Sequence, residues 1–401
     1  MSVETAERAL REALDRVEAA GEALRSRDRA SIANTVAEAW ERIANPELSC
    51  GRAARDRIPR SSGLSLPMVA WALSVTFEDV RAELVSLAAR LDPPEGTRDA
   101  PARLGALVLA GNVFTACVAP LSAGLLAKVP LIVKASTKDD VMPRLFADAL
   151  RRVDPDLADA CLVVGIPGGT SNLEATLFAR ADVVSAYGTD ETLRSIRGRL
   201  SASTSLVMHG HGLGLGYVAR DAELESAAEA FALDVAAYDQ RGCMSPHAIG
   251  VEKGADANCF ARHLAASLST LQATLPRGVL PPEVGAAQVQ WRGVAEARGV
   301  LIEGSCCAVS YEGDVAPRLT PGWRNVMVFE TDRFPERATA YGLHLKTIGV
   351  AGEPDRVARA LPAPLSPRVC PAGRMQRPRL GALADGLPPW HGFRRLMSVE
   401  D

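Results

Sequence analysis

The sequence predicts an α/β protein built on parallel sheets behind a helical N-terminal segment. Three features of the 401-residue chain support this. From Pro93-Pro94-Glu95-Gly96 onward, short aliphatic runs alternate with amphipathic stretches. The runs are continuously apolar rather than alternating, as strands covered on both faces are. The composition, 47% apolar and 23% charged, is that of a chain able to bury a sizeable core. At roughly 150 residues per domain the chain has room for two to three domains.

The pattern is helical from Glu4 to about Arg90. Leu10, Leu14, Val17 and Leu24 share one face of a first helix, and Ile32, Val36, Ala39, Trp40 and Ile43 one face of a second. Past the Pro-Gly break, strands are expected at Leu104 to Leu109, Leu131 to Val133, Cys161 to Val164, Asp182 to Ala186 and Ser205 to Met208. Helices are expected between them at Pro120 to Ala127, Asp139 to Val153, Asn172 to Arg180 and Glu191 to Leu200. Such repeated strand-helix alternation is the signature of a nucleotide-type parallel sheet. A second unit begins near His209, with a helix at Glu223 to Tyr238 and a strand at His247 to Val251. Helices follow around Asn258 to Leu275 and Glu283 to Arg298, and strands near Val300, Ala308 and Val326. The proline- and arginine-rich tail, Pro362 to Arg395, reads as an extended arm over the body.

Composition excludes several classes. With 45 Lys plus Arg against 48 Asp plus Glu, the net charge of -3 argues against a nucleic-acid partner. The eight cysteines include the adjacent pair Cys306-Cys307 and show no CxxC or CxxH spacing, so neither a disulfide framework nor a metal site is indicated. Reduced thiols fit a cytoplasmic protein, and the charged helical N-terminus has no signal-peptide pattern. Leu104 to Ala127 is uncharged over a length that could span a bilayer. Asn112, Pro120 and three glycines interrupt it, however, and its apolar residues divide into a strand-like and a helix-like piece, as in a buried α/β core.

Two glycine-rich stretches are ambiguous. Gly210 to Gly216 lacks the G-x-G-x-x-G spacing and follows the fifth strand, which favours a crossing between domains over a phosphate loop. Gly165-Ile166-Pro167-Gly168-Gly169 could approach a pyrophosphate or simply form a tight turn. Cys243 is more informative. It lies in a loop between a helix and a strand, with Arg241 as a nearby cation that would favour the thiolate and Gly242 leaving room for a substrate, although lone cysteines are often small buried hydrophobes. Cys117, Cys161 and Cys259 lie in element-forming sequence instead.

The segment Asp234-Val235-Ala236-Ala237-Tyr238-Asp239-Gln240-Arg241-Gly242-Cys243-Met244-Ser245-Pro246-His247 resembles the active-site region of the LuxC-like acyl-CoA reductases, the fatty acid reductase branch of the aldehyde dehydrogenase superfamily. Three further segments agree in order and spacing: Gly111-Asn112-Val113-Phe114, Val133-Lys134-Ala135-Ser136-Thr137, and Cys370-Pro371-Ala372-Gly373-Arg374-Met375-Gln376. The resemblance runs from about Arg52. It implies an aldehyde dehydrogenase-like fold with two Rossmann-like parallel-sheet domains: a helical segment (1–100) packed on a dinucleotide-binding domain (101–208), a catalytic thiol domain (209–365) and a C-terminal arm (366–401).

The resemblance also implies roles. Cys243 would be the nucleophile, and Asn112 would form the oxyanion hole with the Cys243 backbone N–H; without the family, Asn112 could equally cap its loop. Lys134 would hold the adenine ribose, with Ser136, Thr137 and Gly168 nearby, while Gly188-Thr189 would pass near the cofactor phosphates and nicotinamide. Where NAD-preferring relatives place a glutamate stands Thr137, followed by Lys138, which tolerate a 2′-phosphate and point to NADPH (NADP).

Departures from the family pattern are equally informative. Aldehyde-oxidising relatives carry a water-activating glutamate upstream of the cysteine, but here the region is Met208-His209-Gly210-His211. His209 or His211 would be the proton donor to the nascent aldehyde or would bind the CoA side, with His209 the candidate catalytic residue, and a histidine in a glycine-rich crossing is also a common structural residue. No counterpart of the nicotinamide-ribose glutamate is evident near Thr320 to Arg324, and Leu383-Ala384-Asp385-Gly386 replaces an expected aromatic and histidine. The implied activity is reduction of an acyl-CoA or acyl-carrier thioester to an aldehyde. Alternatives are a subunit fed by an acyl-activating protein and an enzyme oxidising aldehyde to acyl-CoA. A homo-oligomer is expected from the superfamily and the arm.

Overall fold

The computed structural model of the protein describes residues 3–137, 139–166 and 171–400. Five helices open the chain: α1 (Val3–Ser26), α2 (Arg29–Ala44), α3 (Ser49–Ser62), α4 (Leu66–Phe77) and α5 (Val80–Arg90). Their ends follow local chemistry. The Asp28 side chain accepts from the Ser31 N–H to start α2, Ser65 accepts from the Met68 N–H to start α4, and α3 stops at Gly63, whose φ of 70° is left-handed. The predicted apolar faces are the buried ones, Leu10, Leu14, Val17 and Leu24 on α1 and Ile32 to Ile43 on α2. Trp40 of α2 is fully buried, stacks on Phe77 and Phe146, and donates from Nε1 to the Ser122 hydroxyl at 3.0 Å.

After β1 (Thr97–Asp99), five strands form a wholly parallel sheet: β2 (Gly105–Val108), β3 (Leu131–Lys134), β4 (Cys161–Val164), β5 (Val183–Tyr187) and β6 (Ser205–His209). The connecting helices are α6 (Val118–Leu126), α7 (Val141–Val153), α8 (Pro155–Ala158), α9 (Ser171–Arg180) and α10 (Asp190–Arg197). The order is β4-β3-β2-β5-β6, so the direction of winding reverses between β2 and β5. Such a switch point opens a crevice at the carboxyl ends of the two strands, here between the loop holding Asn112 and the turn at Gly188-Thr189.

A second sheet of seven strands follows. Its elements are β7 (Leu213–Val218), α11 (Leu224–Ala236), β8 (Pro246–Glu252), α12 (Ala257–Thr274), α13 (Pro282–Arg298), β9 (Val300–Glu303), β10 (Ala308–Tyr311), β11 (Asn325–Thr331), α14 (Phe334–Thr339), β12 (Leu345–Ala351), α15 (Pro354–Ala360) and β13 (Arg368–Pro371). The order is β13-β12-β7-β8-β11-β10-β9, parallel throughout except for β9. At the end of the chain β14 (Leu396–Ser398) pairs antiparallel with β1.

Several sequence expectations change. The uncharged run from Leu104 to Ala127 does divide into strand, loop and helix, and among the described residues no helix is long and apolar enough to cross a membrane. The glycine-rich stretch is only partly a crossing: from Leu213 it is the buried strand β7, where Gly216 lies so close to Phe231 and Ile249 that a Cβ would meet them at 2.7 and 2.8 Å. The tail is not purely an arm over the surface, because it contributes β13 to the second sheet. The helix expected to reach Tyr238 ends at Ala236, for a reason that lies in the site itself.

Candidate active site

Between α11 and β8 the backbone does something costly. Tyr238, Asp239 and Gln240 take φ values of 52°, 53° and 60° in succession, a left-handed run of three non-glycine residues. Each such residue costs on the order of 1 kcal/mol or more, so the run persists only where its surroundings hold it. The holding groups are specific. Asp239 pairs with Arg324 at 3.0 Å, both side chains being essentially without solvent contact, and its other oxygen accepts the Gly278 N–H at 3.0 Å. Gln240 donates to the carbonyls of Pro246 and Asn325 and accepts the Asn325 N–H. The Tyr238 hydroxyl lies 2.9 Å from that of Thr115.

This run delivers a tight turn, Gly242-Cys243-Met244-Ser245, closed by the Ser245 N–H donating to the Gly242 carbonyl at 3.1 Å. Solvent reaches Cys243, yet burial is the largest influence on its thiol and pushes its pKa up. Exposure together with such desolvation describes the floor of a recess. The loop after β2 forms one wall: a Cβ on Gly242 would lie 3.5 Å from Val113, the neighbour of Asn112, and Phe114 meets Tyr238 edge to face. Asn112 is itself exposed. The tail forms another wall, where Gln376 donates to the Ser245 hydroxyl at 3.1 Å.

Arg241, the cation expected beside the thiol, is turned away. Its guanidinium donates to the Ser62 and Tyr238 carbonyls and lies over the Trp323 ring, because the left-handed run directs it toward α3. The charges that act on Cys243 come from distant sequence: Lys346, which favours the thiolate, and Asp385, which opposes it.

His209, at the end of β6, stacks on Tyr187 with ring centroids 4.1 Å apart, and its Nε2 lies 3.2 Å from the Ser185 hydroxyl. Burial pushes its pKa down to about 4, so the ring is neutral at pH 7 and holds no cationic proton to give. Tyr187 in turn is coupled electrostatically to Cys243, as it is to Cys117 and Asp385.

The cofactor candidates gather at the carboxyl ends of the five-stranded sheet. Lys134 ends β3 and is buried; its Nζ lies 3.3 Å from Glu174, which also binds Arg199 at 2.5 Å. Ser136 and the exposed Thr137 follow, and Gly111 approaches Ser136 so closely that a Cβ would meet its hydroxyl at 2.7 Å. Gly188 donates to the His209 carbonyl, and Thr189 caps α10 by accepting the Thr192 N–H. A cation with hydroxyls at a switch-point crevice fits a dinucleotide's ribose and phosphate. Asp190 and Glu191 in the first turn of α10 make that end unsuited to phosphate and better suited to the uncharged nicotinamide. Gly168 and Lys138 lie outside the described residues. Among the described residues no group of three or more His, Cys, Asp or Glu side chains converges as a metal site would.

Tyr187, Lys346 and Glu174 were not singled out by sequence reasoning. Gln376 closes the tail segment that resembles the family, and Asp385 lies in the Leu383 to Gly386 departure, where Asp385-Gly386 is a turn former that presents the aspartate.

Comparison with known proteins places these features in context. The acyl-CoA reductase (LuxC) family matches residues 97–396. No curated protein sequence matches. Among solved structures, gamma-glutamyl-gamma-aminobutyraldehyde dehydrogenase from Burkholderia cenocepacia J2315 is similar at a TM-score of 0.75 and 14% identity, over 97% of this chain and 87% of that one. Aldehyde dehydrogenase 21 from Physcomitrella patens, in complex with succinate, gives 0.74 and 12%, over 98% and 90%. NADP-dependent glyceraldehyde-3-phosphate dehydrogenase from Bacillus halodurans C-125, complexed with NADP, gives 0.70 and 14%, over 98% and 92%. At these identities the likeness establishes an aldehyde dehydrogenase-like fold.

Two predictions follow from the site's geometry. Arg324→Met leaves the Asp239 carboxylate buried without its cation, so stability measured by urea unfolding drops by about 3–5 kcal/mol. A depressed histidine pKa stabilises the folded state fully above the unfolded value of 6.5, and that contribution is lost as pH falls through about 4. His209→Gln therefore shows a shallower loss of stability between pH 6.5 and 4 than the parent protein in the same unfolding measurement.

Proposed function

Because the chain belongs to the LuxC family of acyl-CoA reductases, we propose that it reduces an acyl-CoA thioester, of fatty acyl type, to the aldehyde with NADPH through an acyl-cysteine intermediate at Cys243. The family and the fold make it an oxidoreductase of the aldehyde and acyl-CoA class. The observation that carries the finer reading is the placement of a solvent-accessible thiol on a rigidly held turn against the loop of Asn112, beside the switch-point crevice.

In this reading the Cys243 thiolate attacks the thioester carbonyl carbon. The Asn112 amide and the Cys243 N–H stabilise the tetrahedral oxyanion, and the bond to CoA sulfur breaks. CoA leaves as a thiolate and takes a proton from water. Lys134, Ser136 and Thr137 would hold the adenosine ribose and its 2′-phosphate, and Gly188 and Thr189 would lie beside the nicotinamide end. NADPH, when bound, would supply the hydride that reduces the acyl carbon. Collapse of the resulting thiohemiacetal oxyanion releases aldehyde and returns the Cys243 thiolate.

No step after acylation needs a protein acid, which agrees with a neutral His209. His209 thereby serves to pack Tyr187 rather than to donate a proton, revising the role expected of it. Deacylation by water would need a base, and the stretch Met208 to His211 offers no carboxylate for it. That favours the reductive direction over hydrolysis to an acid.

With a panel of acyl-CoAs, NADPH oxidation should proceed with equal release of CoA thiol and aldehyde. Cys243→Ser should abolish both, and Asn112→Ala should lower kcat about 10²- to 10³-fold. Thr137→Glu should weaken use of NADPH more than of NADH, because a carboxylate repels the 2′-phosphate. Full activity in the Cys243 variant would sink the assignment.

A further inference from the structure

Two neighbouring irregularities in the second sheet lie at the level of the Cys243 turn. Between β12 and β7, Leu345 pairs with Leu213 and Thr347 with Gly214, which makes Lys346 the extra residue of a bulge. Between β7 and β8, Gly214 pairs with Pro246 and Leu215 with Ala248, which makes His247 the extra residue of a second. Bulges re-aim side chains, and they recur beside active sites. Pro246 directly follows the nucleophile's turn, so the Lys346 backbone lies about two strand spacings from it, roughly 10 Å, a range over which a charge acts through space rather than by contact. Gly212 allows the approach: a Cβ there would collide with the Lys346 stem.

The partner of Lys346 comes from the other end of the chain. Ala384 and Leu387 exchange backbone hydrogen bonds of 2.9 Å across Asp385 and Gly386, whose φ values of 54° and 77° are both left-handed. That is the geometry of a two-residue type I′ turn, and it presents the Asp385 carboxylate to Lys346 Nζ at 2.7 Å. Lys346 keeps 15% of its side-chain exposure and Asp385 33%, so the pair lies at a mouth rather than in a sealed interior.

We propose that Lys346 and Asp385 are an opposed pair that tunes the ionisation of Cys243 on top of its burial: Lys346 is the cation favouring the thiolate, and Asp385, brought by the C-terminal arm, holds that cation and offsets it. This rests on the reading of Cys243 as the nucleophile. The directions of influence agree: at the thiol Lys346 favours the charged form and Asp385 opposes it. Of the groups on neighbouring elements, Tyr187 from β5 couples to the thiol and to Cys117 and carries the neutral His209 of β6 stacked on it, while Arg241 of the same turn points away. The reaction governed is loss of the thiol proton to water, leaving the electron pair on sulfur for attack on the thioester. Both residues are positioning residues, because they act through Cys243.

The test is the pH profile of Cys243 alkylation by iodoacetamide in the full chain, read on the Cys243 peptide by mass spectrometry. Lys346→Met should move the apparent pKa up and slow alkylation at pH 7 by about threefold to tenfold, roughly half to one pKa unit. Asp385→Asn should move it down and speed alkylation by a similar factor, while Lys346→Arg, which keeps the charge, should stay close to the parent. Shifts of the same sign in Lys346→Met and Asp385→Asn, or no shift in either, would overturn the proposal. Alkylation reads the thiol whether or not it is the nucleophile. A Cys243→Ser protein that still reduced acyl-CoA would therefore overturn the functional reading and leave the pair's effect measurable.

Discussion

The ion pair between Asp239 and Arg324 is the constraint on which the site depends. Both groups are removed from water, a placement tolerated only where each charge is partnered. Beyond the pair itself, the Arg324 terminal nitrogens donate to the Gln272 side chain and the Leu275 carbonyl, and Asp239 also accepts from Gly278, while Arg324 Nε is left without a partner. The network joins the end of α12, the start of β11 and the turn before β8. Its effect is to make a left-handed backbone run, unfavourable in isolation, the only conformation compatible with a paired interior. Arg324 and Trp323 are themselves left-handed, so strain on one strand connection is matched by strain on another. The run ends at Gln240, three residues before Cys243, so this network fixes where the chain enters the Cys243 turn.

Around that turn the two sheets contribute different chemistry. The five-stranded sheet supplies the switch-point crevice with Lys134, Ser136 and Thr137 at one end and the Gly188 turn at the other. The seven-stranded sheet supplies the thiol and, through its bulges, Lys346. The tail closes the arrangement twice, by β13 along the sheet edge and by Gln376 and Asp385 against the thiol's surroundings. Asp234 fastens this tail: buried at the end of α11, it accepts the backbone N–H groups of Gly373 and Met375, and burial pushes its pKa up to about 7.

The fold was largely legible because its signals are local. Continuous apolar runs marked β2 to β6, and the apolar faces of α1 and α2 are the buried ones. The strand β7 was obscured by Gly214 and Gly216, residues that serve close packing rather than a crossing, Gly214 against the Met244 and Ser245 carbonyls and Met375, Gly216 against Phe231 and Ile249. The overrun of the helix to Tyr238 has the same kind of cause, since the left-handed run is imposed by Arg324, some 85 positions away, and no local propensity announces it. The roles proposed for Cys243, Asn112 and Lys134 come from the resemblance. Arg241 was the natural cation by adjacency, and Lys346 took that place only because sheet order brings β12 beside β7. The charges that matter to the thiol are long-range contacts, which spacing along the chain does not report.

The most direct test of the account is intact-protein and peptide mass spectrometry after mixing the protein with a fatty acyl-CoA and no nicotinamide cofactor. The account predicts a mass increase of one acyl group, located on the Cys243 peptide, with equal release of CoA thiol and loss of the adduct as aldehyde when NADPH is added. An acyl group on any other cysteine, or aldehyde formation from acyl-CoA and NADPH with Cys243 never modified, would contradict it.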